Sequence, residues 1–300
     1  MEKYKNIEIF FKKEMSVKSD TGYSPSPSKP HRFMNYLVEH YDEYDKYFSI
    51  NQNFKPFTNE EFYLVHSKKY VGNFFKGKDR TNSLDWSKEL AESVRYTNSS
   101  LWNAIKHSIY KPNKISLSPT SGFHHATHER GGGFCTFSGQ VLASLRIYRE
   151  WGKRGCYIDL DGHFGNSIES YRDLKGFNDV NKAIPEDCNI NPNYTGIRYL
   201  KDLMIKLETV KHKYLNNEID YFVWCHGADS CKEDPLGTQL SHKHWVHCTQ
   251  LFIEMIKEIM TIKGDFVPIT ICLFGGYQKN FNKTLELHRK DINVFIEELL

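Results

Sequence analysis

Four stretches of the chain carry histidine, aspartate or tyrosine just past short apolar runs. Ile115–Leu117 is followed by Ser121-Gly122-Phe123-His124-His125. The run from Cys156 to Leu160 leads into Asp159-Leu160-Asp161-Gly162-His163. Tyr221–Cys225 leads to His226-Gly227-Ala228-Asp229, and Phe266–Phe274 to Gly275-Gly276-Tyr277. Side chains two apart on a strand point to one side, so Asp161 and His163 can hold one metal ion with Asp159 beside them. Acids at strand ends also cap helices or pair with lysine, and that reading stands beside the first. Asp229 adds a third ligand if it joins the other two; by itself it is a turn aspartate before a polar loop. Two carboxylates and one imidazole, with positions left for water, suit a catalytic Zn²⁺ or Fe²⁺ rather than a closed structural site. The adjacent pair His124-His125 suits proton transfer. One ring takes a proton from a water at the metal and returns it to a leaving amine, while the other stabilises charge.

Other clusters carry weaker chemistry. His242, His244 and His247 in SHKHWVH have a His-x-His spacing but no carboxylate nearby in sequence, and read as the solvated start of a helix. Gly131-Gly132-Gly133 lacks the pattern of a phosphate loop leading into a helix, so it reads as backbone that approaches a ligand closely. The seven cysteines are widely spaced with no CxxC, which disfavours a disulfide scaffold and a four-cysteine zinc site. They fit a reduced, cytoplasmic setting.

The elements that must position these residues alternate in type. Strand-like runs are Ile7–Phe11, Ile115–Leu117, Cys156–Leu160, Tyr221–Cys225 and Phe266–Phe274; helical patterns cover 33–48, 87–109, 138–151, 196–215, 245–262 and 282–299. The Pro/Ser-rich stretch from Tyr23 to Pro30 reads as a plain connector. Such alternation predicts an α/β fold with a mainly parallel central sheet covered by helices on both faces, and a single domain over 1–300 is the simplest assembly. In open α/β sheets, sites form at the carboxyl ends of the strands, where all four chemical stretches fall.

Composition narrows the function classes. Forty Lys+Arg against 37 Asp+Glu leave a net charge of +3, too balanced for binding nucleic acid by charge. The 20 Phe, 18 Tyr and 5 Trp supply a core and argue against disorder. The longest apolar stretch, Phe266 to Phe274, is far short of the roughly 18 residues of a membrane span, and the N-terminal residues do not read as a secretory signal. No membrane association is expected.

In this order, Gly122-Phe123-His124-His125-Ala126, Gly133-Phe134-Cys135-Thr136-Phe137, Asp159-Leu160-Asp161-Gly162-His163-Phe164-Gly165-Asn166, Gly227-Ala228-Asp229 with Asp234-Pro235-Leu236-Gly237, and Gly275-Gly276-Tyr277 resemble the histone deacetylase family. That family includes bacterial deacetylase-like proteins and acetylpolyamine amidohydrolases of the arginase/deacetylase fold. Lys29-Pro30-His31-Arg32 and the segment Leu64 to Val71 are fainter echoes, and the resemblance runs from about residue 23 to 290. It implies Asp161, His163 and Asp229 as zinc ligands, His125 as general base and acid, and His124 as its electrostatic partner. Asp159 pairs with His124, Asn166 stands behind His125, and Tyr277 polarises the acyl carbonyl. Gly133, Phe134, Leu236, Gly275 and Gly276 fall on the substrate side, Phe134 as an aromatic wall of an acyl-lysine tunnel. Leu236 stands where polyamine-selective members can place a glutamate, which leans towards an acyl-lysine protein or peptide as substrate.

The chain departs from the family pattern in places. Phe164 stands where most members have a second histidine, Ser167-Ile168 replaces Gly-Thr, and Ser138-Gly139 replaces an Asn pair. The segment from Tyr171 to Ile190 lacks the Ser-x-His strand that supplies a second tunnel aromatic and the carbonyls of a potassium (K⁺) site. The expected function is a zinc-dependent hydrolase acting on acyl-lysine. An acetylpolyamine amidase, a catalytically silent binding module and an arginase-like dimanganese enzyme are the rivals; Phe164 in place of a ligand argues against the last.

Overall fold

A computed structural model describes residues 2–18, 21–237 and 239–300. Among the described residues, seven strands, β1 (Ile7–Phe10), β2 (Phe48–Asn51), β3 (Ile115–Ser118), β4 (Gly155–Asp159), β5 (Asn189–Ile190), β6 (Tyr221–Gly227) and β7 (Ile269–Phe274), form one sheet in the order β2-β1-β3-β7-β6-β4-β5. All neighbouring pairs are parallel. The described helices are α1 (Lys29–His40), α2 (Tyr44–Tyr47), α3 (Asn59–Phe62), α4 (Lys68–Phe75), α5 (Lys88–Tyr110), α6 (Gly139–Trp151), α7 (Asn166–Arg172), α8 (Asp179–Ala183), α9 (Gly196–Leu215), α10 (His242–Lys263) and α11 (Phe281–Leu299). The expected α/β fold with a parallel sheet is the one observed.

Strand β6 shows why both faces must be covered. All seven of its residues are buried, as in a strand between two helical layers. Its side chains alternate. Trp224 stacks on Phe252 of α10 at 4.6 Å between ring centroids, whereas Tyr221 bonds Ser144 of α6 at 3.1 Å. His226 follows Trp224 to the α10 side. It stacks on Trp245 and bonds Asp291 of α11 at 2.8 Å, so it is a core histidine.

Two of the expected elements differ. The pattern over 33–48 is not one helix: α1 runs from Lys29 and stops at His40, because Tyr41 is extended (φ −127°, ψ 107°). After the single turn of α2, Phe48 begins β2, whose alternation pairs it with β1. Pro30 therefore lies in the first turn of α1 rather than in a connector, a position where its missing N–H has no helical partner to lose. At the other end, β7 begins at Ile269, one residue after Pro268, which has no N–H for the ladder.

Candidate active site

The four central strands β3, β7, β6 and β4 are neighbours, and their carboxyl ends deliver the candidate residues to one place. Asp161 and His163 come from the turn after β4, and Asp229 from the single 3-10 turn after β6. Their ligand atoms lie within 4.8 Å of one another. His163 Nδ1 is 3.2 Å from Asp161 Oδ1 and 3.0 Å from Asp229 Oδ2. These contacts push the histidine up to about 10. Asp229 is fully buried, and burial with the like charge of Asp161 raises its pKa to about 6. Two crowded carboxylates beside an imidazole are the donor set that a divalent cation fits.

Close backbone approach makes this convergence possible. A Cβ on Gly275 would lie 1.9 Å from Asp229 Oδ1, and one on Gly227 would lie 2.4 Å from Asp161 Cα. Gly275 and Gly276 also take positive φ (51° and 97°), which aims the chain at Tyr277.

The two histidines are held differently. His124 Nδ1 is 3.1 Å from Asp159 Oδ2, and its Nε2 is 3.7 Å from Asp161. Burial opposes charge on this ring, but Asp161 and Asp159 overcome it and hold the pKa up to about 9. His125 Nδ1 meets Asn166 Oδ1 at 2.7 Å. Burial, then the adjacent His124, push His125 down to about 4. The rings of His125 and His163 are 6.2 Å apart, centroid to centroid. A Cβ on Gly133, which has positive φ (46°), would lie 2.5 Å from the His125 ring, so this glycine lets the loop close over it.

Tyr277 is half-buried beside Phe134, with ring centroids 5.4 Å apart. Burial, then Asp161 and Asp229, raise its pKa, so the hydroxyl stays a donor. Its backbone N–H donates to Asp234 Oδ2 at 2.7 Å, and Asp234 also accepts from Leu236 N at 3.0 Å. Leu236 is half-buried, three residues past Glu233 on the same loop.

Several contributors escape sequence reasoning. Lys29 is fully buried, and its Nζ donates to the carbonyls of Leu273 (2.8 Å) and Gly275, bracing the turn before Tyr277. Burial lowers it to about 8 against the pull of Asp229, Asp161 and Asp234. The aromatic that stacks on Phe134 is Tyr23, at 6.0 Å and 14°. It lies in the stretch expected to be a plain connector. The segment 171–190 forms α8 and the two-residue strand β5; Tyr171 and Phe177 pack on each other. The two departures at 138 and 167 meet: the hydroxyls of Ser138 and Ser167 are bonded, and Ser167 donates to His124 O (N–H) and Ala126 O (Oγ), each at 2.7 Å. Phe164 is 60% exposed.

Comparison with known proteins bears on the family and the fold. The model of the histone deacetylase domain matches residues 26–175. Histone deacetylase 2 of Arabidopsis thaliana is 31% identical over 181 residues, covering 53% of this chain and 43% of that protein. Probable histone deacetylase 1-B of Xenopus laevis is 28% identical over 161 residues, covering 48% and 32%. These matches span less than half of those relatives' length. The crystal structure of the HDA15 HD domain superimposes with a TM-score of 0.69 at 16% identity, covering 98% of this chain and 88% of that one, which establishes the shared fold. The matched domain segment holds His124, His125, Asp161 and His163, while Asp229, Asp234 and Tyr277 lie beyond it and join the same site in space. The chain belongs to the histone deacetylase family.

Proposed function

We propose that the protein is a metal-dependent deacylase that hydrolyses the amide of acyl-lysine in a protein or peptide. The observation that carries this reading is a pair of adjacent histidines beside a three-ligand set, each on a different partner: His124 Nδ1 lies 3.1 Å from Asp159 Oδ2, and His125 Nδ1 lies 2.7 Å from Asn166 Oδ1. A carboxylate behind one imidazole and an amide oxygen behind the other give the two rings different surroundings, which is what a division of acid–base and electrostatic roles needs.

Asp161, His163 and Asp229 would hold the ion, Zn²⁺ by preference or Fe²⁺ in the cell. When bound, such an ion lowers the pKa of a coordinated water and polarises a carbonyl. The protein residues do the rest. Asn166 Oδ1 accepts from Nδ1–H of His125, which leaves Nε2 with its lone pair. Nε2 takes the proton of the attacking water and returns it to the departing lysine amine. His124, held by Asp159, stands beside it as the electrostatic partner. The Tyr277 hydroxyl donates to the acyl oxygen as charge grows there, a contribution of about 3–4 kcal/mol for one such donor. Phe134, with Tyr23 stacked on it, screens the acyl chain from water.

Leu236 supports acyl-lysine over polyamine. A cationic polyamine finds no acid at that position, whereas an extended acyl-lysine chain meets an apolar one. The test is steady-state kinetics on acyl-lysine peptides of graded acyl length beside N-acetylated spermidine and putrescine. Higher kcat/KM on a peptide is expected. Comparable or higher kcat/KM on the polyamines overturns the choice of substrate.

A further inference from the structure

A second set of ligand-type side chains stands on the loop that carries Asp229. Cys231 Sγ donates to Glu233 Oε2 at 2.9 Å, and His242 Nε2 lies 3.3 Å from the same oxygen. One sulfur, one imidazole nitrogen and one carboxylate oxygen thus lie within 4.8 Å of one another. In sequence, His242 reads as a solvated helix start without an acid; the fold brings a carboxylate and a thiol to it. Backbone pairing does this: Lys232 N donates to Leu240 O (2.7 Å) and Leu240 N to Ser230 O (2.8 Å), so the loop closes on itself and sets the first residue of α10 against Cys231. Cys231 is buried, while Glu233 and His242 reach solvent, which gives an ion a path in.

We propose that Cys231, Glu233 and His242 form a second metal site, separate from the Asp161–His163–Asp229 set, for a borderline-soft divalent ion such as Zn²⁺. A thiolate and an imidazole select against Ca²⁺ and Mg²⁺, and three protein ligands leave the fourth tetrahedral position to water. On binding, the Cys231 thiol gives its proton to solvent. The S–H to Glu233 hydrogen bond is broken, and metal–sulfur, metal–oxygen and metal–nitrogen bonds form in its place. The occupied site ties the loop bearing Asp229 and Asp234 to the start of α10.

Sulfur makes the two sites distinguishable, because the Asp161–His163–Asp229 set has none. The 300-residue chain, stripped of metal, is titrated with Co²⁺ and followed by absorption and by metal analysis. The expected result is two equivalents bound and a thiolate-to-cobalt charge-transfer band in the near ultraviolet. His242→Ala, a surface change that leaves the fold intact, should raise the Co²⁺ midpoint of that band at least about tenfold. Cys231→Ser should abolish the band while one equivalent still binds. Uptake of a single equivalent with no charge-transfer band, or a band that survives in both variants, overturns the proposal.

Discussion

The backbone N–H of Tyr277 donates to Asp234 Oδ2 at 2.7 Å, so an acid on the loop after β6 fixes the residue that follows β7. That loop also carries Asp229. One segment therefore sets both a candidate ligand and the phenol facing it. Lys29 braces the same turn from behind through Leu273 O and Gly275 O. Asp234→Ala and Lys29→Met should each lower kcat by about tenfold or more with KM changed less, because misplacing a group that acts in the transition state costs rate before binding. Metal content should persist. Kinetics equal to wild type in both variants would show that the turn holds itself.

Tyr277→Phe keeps the ring and removes only the hydroxyl. The folded, metal-loaded variant should lose about 10²–10³ in kcat, the loss typical of one oxyanion donor. Steady-state kinetics on an acyl-lysine peptide, with metal content and thermal melting as controls, checks this. A variant within about threefold of wild type removes Tyr277 from the mechanism.

Asn166 acts through His125 by choosing its tautomer. Asn166→Ala should lower kcat by about 10²-fold, within the span expected for general acid–base catalysis, with little change in melting temperature. Asn166→Asp, which keeps an acceptor oxygen at the same reach, should recover part of the rate. Equal activities in all three proteins would show that the 2.7 Å contact does not govern the base.

Much of this arrangement is legible in the sequence because it lies at strand ends. The runs before His124, Asp161, Asp229 and Tyr277 alternate with helical patterns, and a parallel sheet places such ends together. What escapes is set by long-range packing. Lys29 carries only a faint family echo at the end of a Pro/Ser-rich stretch, with no role attached, and its burial on carbonyls about 245 residues away is set by packing. Tyr23 and the Ser138–Ser167 pair meet their partners only across the fold. His226 misleads in the opposite direction: its strand position offers it to the site, yet Asp291 and Trp245 hold it in the core. The pattern over 33–48 fails because helical spacing continues through residues that an extended Tyr41 separates.

His66 gives a stability prediction. It is buried, its Nδ1–H donates to Thr127 O at 2.9 Å, and its Nε2 accepts from Ser138 N at 2.9 Å, so the neutral ring ties together the two ends of the segment that follows His125. Burial pushes its pKa down to about 3. A folded pKa below the unfolded value of about 6.5 means the contribution is complete above pH about 6.5 and is lost as pH falls towards 3, by at most about 1.4 kcal/mol per unit. His66→Gln keeps a donor and an acceptor but does not titrate. Between pH about 7 and about 5, the wild type should lose melting temperature faster than this variant. Parallel curves would contradict the assignment.

Hydrolysis itself tests the account most directly. Purified protein is incubated with an acetyl-lysine peptide as isolated, after chelation, and after reloading with Zn²⁺, and the peptide mass is followed; Asp161→Ala is run alongside. The account predicts loss of the acyl group by the isolated and reloaded protein, and none after chelation or in Asp161→Ala. Deacylation that persists in chelated protein and in Asp161→Ala, or no deacylation by the zinc-loaded wild type, would contradict it.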